Sequence, residues 1–285
     1  MGRLATYASF VRVSHTVFAL PFALVGAVLA ARLTPLTWAR VAWIVAAMIT
    51  ARSAAMGFNR LVDARHDALN PRTSMREIPR GAMSRAEATA FVAIASALFI
   101  YCAWQLGAVT FALSPLALAI VFWYSLAKRV TSYTQFFLGL AMAVAPVGGW
   151  LAAGGPIAAA EPWLLALAIG TWVGGFDILY ACQDLAFDRA HGLHSIPVRF
   201  GVRASLLISR ACHVVTVAAL AAIGVQASLG AIYMAGVAGV ALLLIYEQSL
   251  VREHDLSQVK RAFDMNGYVG ILYMATTMVA VYAGR

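Results

Sequence analysis

Asn59-Arg60-Leu61-Val62-Asp63-Ala64-Arg65-His66-Asp67 closes an apolar stretch that opens near residue 38. A second such stretch ends in Asp177-Ile178-Leu179-Tyr180-Ala181-Cys182-Gln183-Asp184-Leu185-Ala186-Phe187-Asp188. Five of the chain's twelve Asp and Glu sit in these two runs. In each run two Asp lie four residues apart, a spacing that puts both carboxylates on one helical face, about one turn apart. Facing acidic pairs at one surface repel unless a divalent cation lies between them. Hard cations such as Mg²⁺ take oxygen ligands and commonly keep phosphate in their shell. The pattern therefore points to a metal-bound diphosphate at the edge of an apolar bundle.

The composition sets the environment. Hydrophobic residues make up 62% of the 285 residues and charged residues 12%, and mean hydropathy is +0.80. A soluble domain is about half apolar and about a quarter charged. The chain reads as an all-α, polytopic membrane helical bundle forming one domain over 1–285. Apolar windows place nine transmembrane helices near 14–33, 38–58, 87–106, 108–127, 135–153, 162–183, 204–224, 229–250 and 266–282. The first window runs on into a span, so no cleaved signal peptide is expected. Nine spans put sixteen of the 21 Lys and Arg on the N-terminal side, and the positive-inside rule makes that side cytoplasmic. Both acidic runs fall there. The net charge of +9 is thus accounted for by topology and a diphosphate pocket, without nucleic acid. Cys102, Cys182 and Cys212 are isolated and read as packing residues with no disulfide framework.

Asn59, Asp63 and Asp67 recur every four residues and form one polar stripe. Arg72, Arg76 and Arg80 follow at the same interval, as cations able to grip phosphate oxygens. The bland alternative, a solvated loop alternating charges, leaves unexplained why carboxylates lie in register beneath an apolar span, where each costs about 2.5–3.5 kcal/mol at mid-membrane and less near the surface. Asp177 lies deeper, seven residues before Asp184; its bland alternative is an ion pair with Arg52 or Arg210. His66, His191 and His194 lie beside the acidic motifs but show no metal-ligand spacing, and His15 reads as a residue packing at the start of a helix, with a substrate contact as the alternative. Gly148-Gly149 and Gly174-Gly175 read as close helix contacts.

Asn59-Arg60-x-x-Asp63-x-x-x-Asp67 and Asp184-x-x-x-Asp188 resemble the two signature motifs of the UbiA family of intramembrane prenyltransferases. The likeness extends through Asn70-Pro71-Arg72-Thr73, Tyr124-Ser125-Leu126-Ala127-Lys128-Arg129, and Gly192 and Ser195 before Phe200-Gly201. The resemblance implies a helical bundle around a central cavity and Mg²⁺-dependent transfer of a polyprenyl group from its diphosphate to an acceptor, usually aromatic. It implies that Asn59, Asp63, Asp67, Asp184 and Asp188 bind Mg²⁺, and that Arg72, Lys128 and Arg129 bind the diphosphate. Asp177 would accept or orient the acceptor's phenolic proton, Arg12 would pair with an acceptor carboxylate, and Tyr124 and Tyr180 would face the aromatic ring or a carbocation. Where relatives often carry a Lys beside the Ser, this chain has Leu193-His194, so Arg189 or Arg199 would take over that contact. Within the family the motifs are most similar to the quinone branch, with 4-hydroxybenzoate favoured and 1,4-dihydroxy-6-naphthoate, on a menaquinone route, as its rival. The expected location is a bacterial-type inner membrane with the site facing the cytoplasm. A cation or proton transporter is the alternative of another class, which expects acids near the bilayer midplane.

Overall fold

The computed structural model describes residues 3–11, 20–71 and 73–283. Its helices run, in chain order, α1 Arg3–Phe10, α2 Leu20–Ala30, α3 Trp38–Leu69, α4 Arg85–Leu106, α5 Ala108–Ala127, α6 Thr134–Ala152, α7 Glu161–Ala181, α8 Leu185–Ala190, α9 Ile196–Gln226, α10 Gly230–Leu250 and α11 Val259–Ala283. The nine expected spans coincide with α2 to α7 and α9 to α11. Seven of these helices are long and apolar enough to cross a membrane over the described residues. The described part of α2 is 11 residues long. α11 has the length, 25 residues, but Lys260, Arg261 and Asp264 dilute its first turns.

Local chemistry sets the helix ends. Thr37 caps α3 by accepting from Arg40 N at 3.3 Å. Ser84 and Glu87 form a reciprocal capping box at the start of α4, each satisfying a backbone donor the helix cannot. Ser195 accepts from Val198 N at the start of α9, with Pro197 in its first turn, where a missing N–H does no harm. Between α4 and α5 the chain turns at Gly107, whose φ is 134°.

α2 is apolar on every side, and all but two of its residues are buried, the pattern of a helix packed inside a bundle. It packs on α6 and meets α11, so the last helix returns to the first span; α7 is flanked by α6 and α9. Phe22 on α2 meets Trp172 on α7 with ring centroids 4.9 Å apart. Gly149 lets α6 approach α2 backbone to backbone, because a Cβ there would land on the Ala23 carbonyl. The three cysteines are buried and free. Large side chains such as Trp38, Val214, Val225 and Leu242 are exposed on the outside, as expected where the solvent is lipid. The chain is an integral membrane protein.

α3 is the element that matters for the site. Its 32 residues span about 48 Å at 1.5 Å per residue, against a hydrocarbon core of about 30 Å. Its last ten or so residues therefore project past the apolar layer, carrying Asn59, Asp63 and Asp67 to one rim.

Candidate functional site at the charged rim

The first acidic motif lies on one unbroken helix, and its carboxylates are buried: Asp63 is 3% exposed and Asp67 6%. Each has cationic partners. Lys128 Nζ lies 2.6 Å from Asp63 Oδ2 and Arg129 Nη2 lies 2.8 Å from Asp63 Oδ1. Both cations come from the end of α5, some 65 residues along the chain. Asn59 Nδ2 donates to Asp63 Oδ2 and to Ser125 Oγ, both at 3.3 Å. Arg76 Nη1 approaches both oxygens of Asp67 at 2.8 Å. The Tyr124–Arg129 segment is thereby locked to the stripe on α3.

The second motif reaches the same rim by a different local route. α7 tightens into a 3₁₀ turn over Cys182–Asp184 before α8 begins. Asp184 therefore stands at a junction, one turn before Asp188, and the Asp177–Asp184 register is not that of a single straight helix. Both Asp184 and Asp188 are half-buried. His194 N donates to the carbonyl of Lys128 at 2.8 Å, and Ile196 N donates to Gln135 Oε1 at 3.2 Å. The loop after α8 is thus fastened to the α5–α6 turn that also holds Asp63. Burial dominates the environment of His66, Asp177 and Tyr124, with charged neighbours from both motifs as smaller contributions. His66 senses Asp63, Lys128, Arg129 and, from the other loop, His191. Asp177 senses Asp184, Asp188 and Lys128. Tyr124 senses Arg52, Asp63 and Asp177.

The structure brings Asn59, Asp63, Asp67, Lys128, Arg129, Tyr124, Asp177, Asp184 and Asp188 to one end of the bundle. Tyr180 packs on Phe263 of α11 at 4.9 Å. Arg189 is exposed at the end of α8. Arg199, also exposed, sits over the rings of Tyr133 and Phe200 at 5.4 and 5.2 Å, on an outward aromatic pair. Arg12, Arg72 and His15 lie outside the described residues. The ion pair considered for Asp177 does not form: Arg210 is exposed, and the buried Nε of Arg52 has no hydrogen-bond partner among the described residues.

One feature went unread in the sequence and one takes a different role from that expected. Arg60 and Glu77 form a buried ion pair, with Ser9 Oγ donating to Glu77 Oε1 at 2.6 Å. This pair pins the 73–83 segment to α3 and to α1. Its only sequence signal was a Glu among arginines. Arg76, the neighbouring residue, was read as a phosphate cation, yet here it holds Asp67.

Among the described residues, no three His, Cys, Asp or Glu side chains cluster closely enough to cage a metal ion. Mg²⁺ does not require such a cage. It keeps several waters and is typically held by one or two carboxylates plus substrate phosphates. The donors here are hard oxygens, and each first-motif carboxylate is balanced by cations that phosphate oxygens could re-pair, so the residues fit the ion.

Comparison with known proteins agrees with this geometry. The family model described as "UbiA prenyltransferase family" matches residues 19–272. The 4-hydroxybenzoate octaprenyltransferase of Sodalis glossinidius is 33% identical over 239 residues, covering 81% of this chain and 79% of that protein. The apo structure of a UbiA homolog from Aeropyrum pernix K1 superposes with a TM-score of 0.85 at 38% identity, covering 93% of this chain and 98% of that one. A UbiA homolog from Archaeoglobus fulgidus, bound to GPP and Mg²⁺, gives a TM-score of 0.75 at 20% identity, covering 97% and 99%; at that identity the likeness speaks for the fold alone.

Proposed function

The chain belongs to the UbiA prenyltransferase family, and from that premise we propose that it transfers a polyprenyl group from polyprenyl diphosphate to an aromatic carboxylate of the 4-hydroxybenzoate type, in quinone biosynthesis. The observation that carries the proposal is the meeting of two acidic helix ends with Lys128 and Arg129 at one rim of a membrane bundle. A polyprenyl tail partitions into lipid while its diphosphate does not, so the chemistry belongs at such a boundary.

In this reading Asn59, Asp63, Asp67, Asp184 and Asp188 hold Mg²⁺, which when bound neutralises the diphosphate so that it becomes a competent leaving group. Lys128 and Arg129, with Arg72, grip the phosphate oxygens, and Arg189 or Arg199 supplies the contact that relatives often make with a Lys. Fixed cations in a water-poor site are worth far more than in bulk water, and they need no reorganisation as charge develops. Asp177 accepts or orients the phenolic proton of the acceptor, which raises electron density on the attacking ring carbon. Tyr124 and Tyr180 offer ring faces to the acceptor and to allylic positive charge. Arg12 pairs with the acceptor's carboxylate. Crowding of Lys and Arg on this face supports an orientation toward the cytoplasm, and the proposed location is a bacterial-type inner membrane.

Both acceptor types carry a carboxylate, so the naphthoate rival is separated by product. Membranes containing the protein receive a long-chain polyprenyl diphosphate, Mg²⁺, 4-hydroxybenzoate and 1,4-dihydroxy-6-naphthoate together, with products resolved by mass. Prenylated hydroxybenzoate is expected. Prenylated naphthoate alone would move the enzyme to a menaquinone route, and no product from either would overturn the acceptor assignment.

A further inference from the structure

α10 carries a single charged residue in its 21, Glu247, and it is 1% exposed. The next residue, Gln248, is half-buried and polar. Buried polar groups in a membrane helix are costly, so they call for a use. Both belong to networks, and the two networks run in different directions.

Gln248 Nε2 donates to Ser209 Oγ of α9 at 2.7 Å and lies 3.0 Å from His213 Nδ1. Ser209, fully buried, passes the connection on: its Oγ–H donates to the Gly175 carbonyl of α7 at 2.8 Å. Gly175 allows this contact because a Cβ there would strike the His213 ring. The chain of bonds ends two residues before Asp177.

Glu247 points the other way. Its Oε1 accepts from Asn266 Nδ2 of α11 at 3.3 Å. The same amide donates to the Phe263 carbonyl at 3.1 Å, which fixes the turn of α11 that carries Phe263. The Phe263 ring in turn packs on Phe176 at 5.6 Å and on Tyr180 at 4.9 Å. Those residues flank Asp177 on either side. One dipeptide therefore holds the 175–180 turn of α7 from both of its neighbours.

We propose that Glu247 and Gln248 are positioning residues that fix Asp177 and Tyr180 against the acceptor, acting through Ser209 and Gly175 on one side and through Asn266 and Phe263 on the other. The proposal rests on the reading that Asp177 and Tyr180 handle the acceptor. Neither Glu247 nor Gln248 contacts the charged rim in any described hydrogen bond or ion pair, so the diphosphate half of the reaction is untouched. The signature is an effect on one substrate and not on the other.

The test measures KM and kcat separately for acceptor and for polyprenyl diphosphate in the purified full chain. Gln248→Leu and Glu247→Leu are each expected to lower acceptor kcat/KM about ten-fold, the kinetic equivalent of losing about 1.4 kcal/mol of positioning in the transition state. The KM for polyprenyl diphosphate stays unchanged. Glu247→Gln keeps the acceptor oxygen that Asn266 uses and returns acceptor kinetics to near wild type. Ser209→Ala removes only one hydroxyl and serves if a leucine variant does not fold. Equal losses on both substrates, no loss on either, or failure of Glu247→Gln to restore would overturn the proposal. Asp177→Asn is measured alongside. If it impairs acceptor use while the α10 variants and Ser209→Ala do not, the positioning role alone is refuted. If Asp177→Asn leaves acceptor kinetics intact, the reading of Asp177 falls, and the positioning role with it.

Discussion

Asp63→Asn separates chemistry from architecture, because it preserves the size of the side chain and deletes its charge. The structural cost can be bounded. Neutralising one partner of a fully buried ion pair costs about 3–5 kcal/mol, whereas an exposed pair is worth about 0–1 kcal/mol. Asp63 is buried, but the side chains of Lys128 and Arg129 are 30% and 27% exposed, so the two contacts together are worth about 2 kcal/mol once solvent screening is allowed for. A protein with even about 5 kcal/mol of stability stays about 99% folded after such a loss. Turnover responds on a different scale. If Asp63 holds the metal that neutralises the leaving diphosphate, losing about 4 kcal/mol of transition-state stabilisation slows transfer about 10³-fold. The assay is product formation by mass spectrometry with purified enzyme, normalised to folded protein by size-exclusion recovery and tryptophan fluorescence. An Asp63→Asn enzyme that is folded and keeps more than about a tenth of wild-type turnover would refute the reasoning, since only a structural ion pair would then have been removed.

Glu77→Gln is the complementary case: it breaks the fully buried pair with Arg60 and is expected to cost about 3–5 kcal/mol of stability while turnover per folded molecule holds, as denaturation curves and the same transfer assay would show. Gly149→Ala forces a methyl onto the Ala23 carbonyl and separates α2 from α6, at about 1–3 kcal/mol, whereas Gly148→Ala meets open space and is neutral; thermal unfolding of the pair reads the difference. Chelating divalent cations with EDTA stops transfer and added Mg²⁺ restores it, followed as initial rate against free Mg²⁺; transfer that persists at full rate in excess chelator would remove the metal from the scheme.

The span pattern was legible because bilayer solvation imposes one simple demand, long apolar helices, and α4 to α7 obey it to within two residues, whereas α3 runs eleven residues past its expected end at 58. The acidic stripe was legible for the same reason: Asn59, Asp63 and Asp67 repeat at the helical period on a helix that never breaks. The second motif was less so, since the 3₁₀ turn over Cys182–Asp184 leaves no mark in spacing. The Glu77–Arg60 pair left only the mark of a Glu among arginines, and the Glu247 and Gln248 networks left none. They depend on which helices become neighbours, and hydropathy windows treat each helix alone. The same limit explains the most consequential surprise. The residues assigned to the metal and those assigned to the diphosphate pair with each other here: Lys128 and Arg129 lie on Asp63, and Arg76 on Asp67. A cation entering alone must displace a Lys or Arg from its carboxylate, and a diphosphate entering alone must draw that Lys or Arg away. Entering together, they exchange partners and leave no charge unpaired. The metal and diphosphate assignments therefore stand or fall as one, which is why a single substitution at Asp63 tests both.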